Sequence, residues 1–133
     1  IIDRTFYKKS YVQNQILGRA LLESVLFYDG KCIFTTVTID EMEFYGVTGR
    51  ELGGIVEQLR LTDGVEVAIF LYQTGEEEYK VSLRSKKKID VAAIATQFGG
   101  GGHVRAAGYT AKGSVYQIIN SIGELIEKQY NAM

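Results

Sequence analysis

Apolar residues recur along this chain with two different periods. In YVQNQILGRALLESV (11–25), Ile16, Leu17, Ala20 and Leu21 share one face at helical spacing while Gln13, Asn14, Arg19 and Glu23 fall mostly elsewhere. That pattern predicts an opening amphipathic helix. In VLFYDGKCIFTTVTI it changes to two β-rich runs with Asp29-Gly30 between them, the signal for a hairpin with a tight two-residue turn. Asp40 stands three residues before Glu43 and Thr48 three before Glu51, so both resemble capping boxes. The second leads into Leu52, Ile55, Val56 and Leu59, an i, i+3, i+4, i+7 series that predicts the better helix.

The second half repeats the alternation. VEVAIFLYQTGEEEYKVSLRS holds a largely apolar strand, expected at the centre of a sheet, then a turn at Thr74-Gly75 and a strand in which Tyr79, Val81 and Leu83 share a face. DVAAIATQFG predicts a helix with Asp90 as N-cap, Val91, Ile94, Ala95 and Phe98 on one face, and Gly99 at the left-handed C-terminal position. GYTAKG reads as a short strand. Ser114 then caps a closing helix striped by Val115, Ile118, Ile119, Ile122, Leu125 and Ile126. Helices and strands alternate without a linker or repeat, so the expected fold is α/β: one domain over residues 1–133, a mixed β-sheet flanked by helices.

Composition narrows the function classes. A chain of 133 residues, 46% hydrophobic and 23% charged, has the balance of a globular domain rather than a disordered tail. No apolar run approaches the ~20 residues that cross a bilayer, and the first residues, IIDRTFYKKS, lack the apolar stretch of a signal peptide. The expectation is a soluble, cytoplasmic protein with no membrane partner. One cysteine, Cys32, and one histidine, His103, exclude an internal disulfide and the usual sulfur and nitrogen zinc frameworks, and Cys32 is expected in the core. Fifteen Lys and Arg against 16 Asp and Glu argue against a broad nucleic-acid clamp. Any anion site is therefore local.

Two stretches offer such a site. In QFGGGGHVRAAG, helix capping accounts for Gly99, which leaves Gly100, Gly101 and Gly102 leading into His103. Glycine lets backbone N–H groups converge on an anion without a Cβ in the way, and a neighbouring histidine can donate to that anion. A flexible surface loop ending in an ordinary exposed histidine accounts for the run equally well. The run is not a P-loop, since no Lys-Ser or Lys-Thr follows, and it follows a helix rather than the strand a dinucleotide fingerprint needs. SLRSKKK is the densest positive cluster. Arg84 can hold a phosphate with two parallel hydrogen bonds, and Ser85 adds a hydroxyl. Lys86 to Lys88 read mainly as a solvated turn.

GGGHVRAAG, Gly100 to Gly108, resembles the GGGHxxAAG signature of the DHHA1 domain of DHH-family phosphoesterases. The preceding stretch, from GVEVAIFLYQ through SLRSKKKIDVAAIATQF, is similar to that domain in the oligoribonuclease and pAp-phosphatase branch, the bacterial nanoRNases. The resemblance covers essentially the whole chain and implies a DHHA1-like fold. It places Gly100, Gly101, Gly102 and His103 beside a substrate phosphate, Arg84 and Ser85 at the terminal nucleotide or its phosphate, and Ala106, Ala107 and Gly108 in close packing under the loop. Arg105 stands in a variable position and inherits no role. Missing from the chain is the Asp-His-His triplet of the DHH half, whose aspartates and histidines hold two divalent metals, commonly manganese, so no catalytic or metal-ligating residue is expected here. Implied is the C-terminal substrate-binding domain of a longer enzyme acting on short RNA, pAp or linear dinucleotides, with the DHH domain of the same parent chain as its partner and a homodimer left open. The alternative is a pure RNA-binding module like that appended to alanyl-tRNA synthetases.

Overall fold

The computed structural model describes residues 10–133. Ser10 caps the first helix, α1 (Tyr11–Leu22), through a reciprocal box with Gln13. The hairpin of β1 (Val25–Phe27) and β2 (Cys32–Val37) follows, and it turns where the sequence predicts. Asp29 and Gly30 take φ of 57° and 78°, and the Lys31 N–H donates to the Tyr28 carbonyl at 3.1 Å. Tyr28 also has a positive φ, 53°, so three consecutive left-handed residues reverse the chain between Phe27 and Cys32.

Three boundaries differ from expectation. α2 (Ile39–Tyr45) is capped by Thr38, with Glu41 returning to the cap, not by Asp40 with Glu43. Asp40 instead lies in the first turn, where a negative charge suits the helix dipole. The Thr48–Glu51 box forms, but it opens only a 3-10 turn (Gly49–Leu52), and α3 (Gly54–Arg60) starts afresh after Gly53. Two adjacent glycines are poor helix formers at that junction. Between β3 (Val67–Gly75) and β4 (Glu78–Ser85) the turn is Glu76-Glu77, two residues beyond Thr74-Gly75, because the register shifts between Gln73 and Gly75.

The remaining elements are α4 (Val91–Gln97), β5 (Gly101–His103), β6 (Ala106–Lys112) and α5 (Val115–Asn131). Among the described residues the six strands form one mixed sheet in the order β1-β2-β3-β4-β6-β5, with β2 and β3 parallel and the other neighbours antiparallel. β3 is central and buried on both faces: Val67, Ile69 and Leu71 meet the α4 and α5 side, Ala68 and Phe70 the α1, α2 and α3 side. The α5 stripe of Ile118, Ile119, Ile122 and Ile126 is buried as its spacing requires. Cys32 is fully buried, and burial, with the charge of Glu66, pushes its thiol up to about 12. No helix among the described residues is long and apolar enough to cross a membrane.

Candidate functional site

The glycine run is neither a loop nor the opening of a helical turn. Gly99, at φ 87°, and Gly100 close α4 in a Schellman motif: the Gly99 N–H donates to Thr96 O at 3.2 Å and the Gly100 N–H to Ala95 O at 2.9 Å. The chain then runs straight into β5, whose Gly101, Gly102 and His103 pair with Gly108, Ala107 and Ala106. Gly100 and Gly102 are glycine for closeness to β6. A Cβ on Gly100 would collide with Gly108 O and the Tyr109 side chain; one on Gly102, at φ 146°, would stand 2.6 Å from Ala107 Cα. Gly101 has open space where its Cβ would be. β5 is the last strand of the sheet, so its outward backbone groups have no strand partner.

The sheet register brings part of the expected set together. Arg84 is paired with Ala106, and Ala106 with His103, so the three lie in one row across β4, β6 and β5. Side chains of directly paired residues share a face. The next row on that face is Ser82, Gly108 and Gly101. The helices on this side, α1 to α3, make their main sheet contacts with β2, β3 and β4, while α4 covers β5 and β6 from the opposite side. What remains is an open shelf floored by serine, alanine and glycine, with Arg84 at one border and exposed His103 at the other.

Arg84 has two neighbours that position its side chain. Its Nη1 donates to Leu83 O at 3.0 Å, and its Nε lies 3.9 Å from the Glu57 carboxylate on α3, which also holds Arg60 at 2.8 Å. That contact leaves most of the guanidinium donors free. Ser85 is placed elsewhere. It is 2% exposed, on the opposite face with Val81 and Leu83, and its hydroxyl donates to Ile89 O at 2.6 Å. The same oxygen accepts from Arg105 Nη1 at 3.2 Å. Arg84 and His103 therefore share a surface from which Ser85 is excluded.

Two residues without an expected role build the surroundings. Arg105 donates to Ile89 O at 2.6 Å and to the Lys87 carbonyl, and its own carbonyl accepts from the Ser85 N–H, so it ties the β5–β6 turn to the end of β4. Glu66, just before β3, turns its carboxylate onto the backbone N–H groups of Lys87, Lys88 and Ile89 at 2.7 to 3.2 Å. Burial raises the Glu66 pKa, but the N–H donors of residues 86 to 89 outweigh it and leave the group below the ordinary glutamate value. The lysine turn is thus a backbone cradle filled by an internal anion. Among the described residues no three His, Cys, Asp or Glu side chains converge as metal ligands, so the two-manganese group does not fit them, and Asp3 lies outside those residues.

Comparison with known proteins agrees with this architecture. The family described as the DHHA1 domain matches residues 29–129. A bifunctional oligoribonuclease and PAP phosphatase, NrnA, of Thermus thermophilus is 47% identical over 55 residues, 41% of this chain and 17% of that protein. Among solved structures, an exopolyphosphatase-related protein from Bacteroides fragilis superposes with a TM-score of 0.84 at 25% identity, over 96% of this chain and 39% of that one. A pGpG-specific phosphodiesterase, PggH, from Vibrio cholerae shares the fold, with a TM-score of 0.57 at 9% identity over 90% of this chain and 39% of that one. The chain spans well under half the length of each of these three proteins.

Proposed function

The chain belongs to the DHHA1 domain family of DHH-family phosphoesterases, and from that membership we propose that it is the substrate-binding domain of a longer enzyme that hydrolyses short oligoribonucleotides, pAp or linear dinucleotides. The observation that carries the reading is the row Arg84–Ala106–His103 on the open shelf. Arg84 supplies charge-assisted hydrogen bonds to a phosphate, and His103 a further N–H donor from the other border. Two strand spacings, roughly 10 Å, separate those borders, and the small residues between them let a nucleotide approach the sheet. The Glu57 carboxylate, 3.9 Å from the Arg84 Nε, stands beside that border. Ser85 acts through structure: it anchors Arg105 and, with it, the turn that carries His103.

Bond cleavage belongs in this reading to the accompanying DHH domain, whose metal ions supply the hydrolytic chemistry. This chain's residues bind and orient. The 47% identity to an oligoribonuclease and PAP phosphatase favours phosphorylated nucleotide ends as the ligand.

Calorimetry of the full-length protein with pAp, adenosine and inorganic phosphate, under metal chelation, tests the proposal. Arg84→Ala is expected to cost about 1.5–3 kcal/mol of pAp binding, the range for a hydrogen bond to a charged group, with adenosine binding little changed. Unchanged pAp affinity in that variant would remove Arg84 from the site and the proposal with it.

A further inference from the structure

A second basic feature lies beyond the shelf. Lys31, Lys86, Lys87 and Lys88 line, with Glu66 and Tyr130, a cleft of about 330 Å3 at the end of β4. Four lysines and one carboxylate line it, and that carboxylate is already taken by the backbone N–H groups of Lys87, Lys88 and Ile89. The ion pairs among the described residues all use arginine, so these amines have no carboxylate partner there. Lys31 Nζ lies 5.5 Å from the Tyr28 ring centre and 5.2 Å from that of Tyr130, which fixes it on one wall. Lys86 Nζ donates to Thr62 O at 2.9 Å, and Lys87 and Lys88 are exposed. The whole chain carries a net charge of -1, so this concentration of positive charge is local.

We infer that the lysine cleft binds the phosphates of a nucleotide chain beyond the terminal nucleotide held at Arg84 and His103. The inference rests on the proposed function above. The lysine cluster begins two residues after Arg84, at the end of β4. Lys86 lies just past that strand, its backbone N–H donates to Glu66 O, and its amine reaches the carbonyl of Thr62, just past the helix whose Glu57 meets Arg84. Lys87 and Lys88 follow in the turn that closes on the Glu66 carboxylate, with their side chains exposed. The backbone cradle of the turn is filled by Glu66, so an outside anion meets only the lysine amines. Such flexible point charges recognise phosphate without reading bases and release counterions as they do so. The cleft therefore selects for chain length and not for sequence.

The test compares pAp, a 5′-phosphorylated pentanucleotide and inorganic tripolyphosphate, binding to the full-length protein under metal chelation so that nothing is hydrolysed. In the double variant K87Q/K88Q the pentanucleotide dissociation constant is expected to rise at least fivefold, with pAp changed less than twofold. The dependence of log affinity on log salt should flatten for the pentanucleotide by about 0.7 per lost contact. The Lys87 and Lys88 side chains do not form the turn, since Glu66 is held by backbone N–H groups, so the variant keeps its fold. A pentanucleotide loss no greater than that for pAp would overturn the inference. Loss of tripolyphosphate binding with the pentanucleotide unaffected would overturn it too, by assigning the cleft to free polyphosphate. Arg84→Ala with unchanged pAp binding would instead sink the proposed function, whatever the lysines do.

Discussion

The lysine turn and the glycine edge both have the composition of a phosphate site, and they have opposite internal states. In residues 87 to 89 the backbone N–H groups converge on one point, and the Glu66 carboxylate occupies it. In residues 101 to 103 no strand among the described residues pairs with the outer edge, and Gly101 leaves open space above the shelf. Anion-friendly backbone is therefore not in itself a ligand site: where the protein supplies its own anion, the cradle is a structural joint. The comparison also splits the glycines, because Gly100 and Gly102 make room for β6 while Gly101 does not.

The sharpest way to break that split is Gly102→Ala. Its Cβ would stand 2.5 Å from Ala106 O and 2.6 Å from Ala107 Cα at a φ of 146°. Strained backbone and overpacking each cost about 1–3 kcal/mol, so denaturant melts should show about 3 kcal/mol of lost stability. A variant as stable as wild type would mean that the β5–β6 approach does not require glycine.

Next in size is Glu66→Gln. Its amide group turns a donor toward N–H groups that need an acceptor, and the loss should be about 1–3 kcal/mol at neutral pH. The pH dependence has a definite sign. The folded-state pKa of Glu66 lies below its ordinary value, so its contribution is full above the ordinary carboxylate value and disappears as pH falls through the lower folded value. Urea melts from neutral to acid pH should show the gap between wild type and variant narrowing. A gap that stays constant would remove the charge of Glu66 from the explanation.

Smallest in stability is Gly101→Ala, where the added methyl meets no atom within 4 Å. Melting should be unchanged or improved by up to about 1 kcal/mol through a stiffer unfolded chain. The same methyl projects onto the shelf, so pAp binding by the full-length protein should weaken even as stability holds. Full pAp affinity would show that a ligand does not approach the sheet at that row.

Much of this was legible before any coordinates. Hydrophobic period and turn chemistry placed α1, the β1–β2 hairpin, α4 and α5, because each carries its own local signal in Ile16 and Ala20, Asp29-Gly30, Asp90, or the isoleucine stripe. Where two local signals overlapped, the expected boundary slipped by two residues, as at Asp40 and Thr74-Gly75. The site shows the same division. Arg84 and Ser85 were both expected at the ligand, but adjacent strand residues point to opposite faces, and Ser85 falls on the buried face of Val81 and Leu83. Arg105 and Glu66 gave no such sign, since each acts on carbonyls or N–H groups of residues 16 to 23 positions away.

By itself the sequence determined the α/β class, most of the elements, the central place of β3 and the family signature, because these follow from local periodicity and from residues adjacent in the chain. Only the tertiary structure decided what each signature residue is for. Strand pairing aligns Arg84 with His103 across Ala106 and closes Gly100 and Gly102 against β6. It also lets Glu66 fill the cradle under the lysines. The physical reason is that a glycine, or a run of backbone N–H groups, has no intrinsic role until the fold sets which atoms stand opposite it.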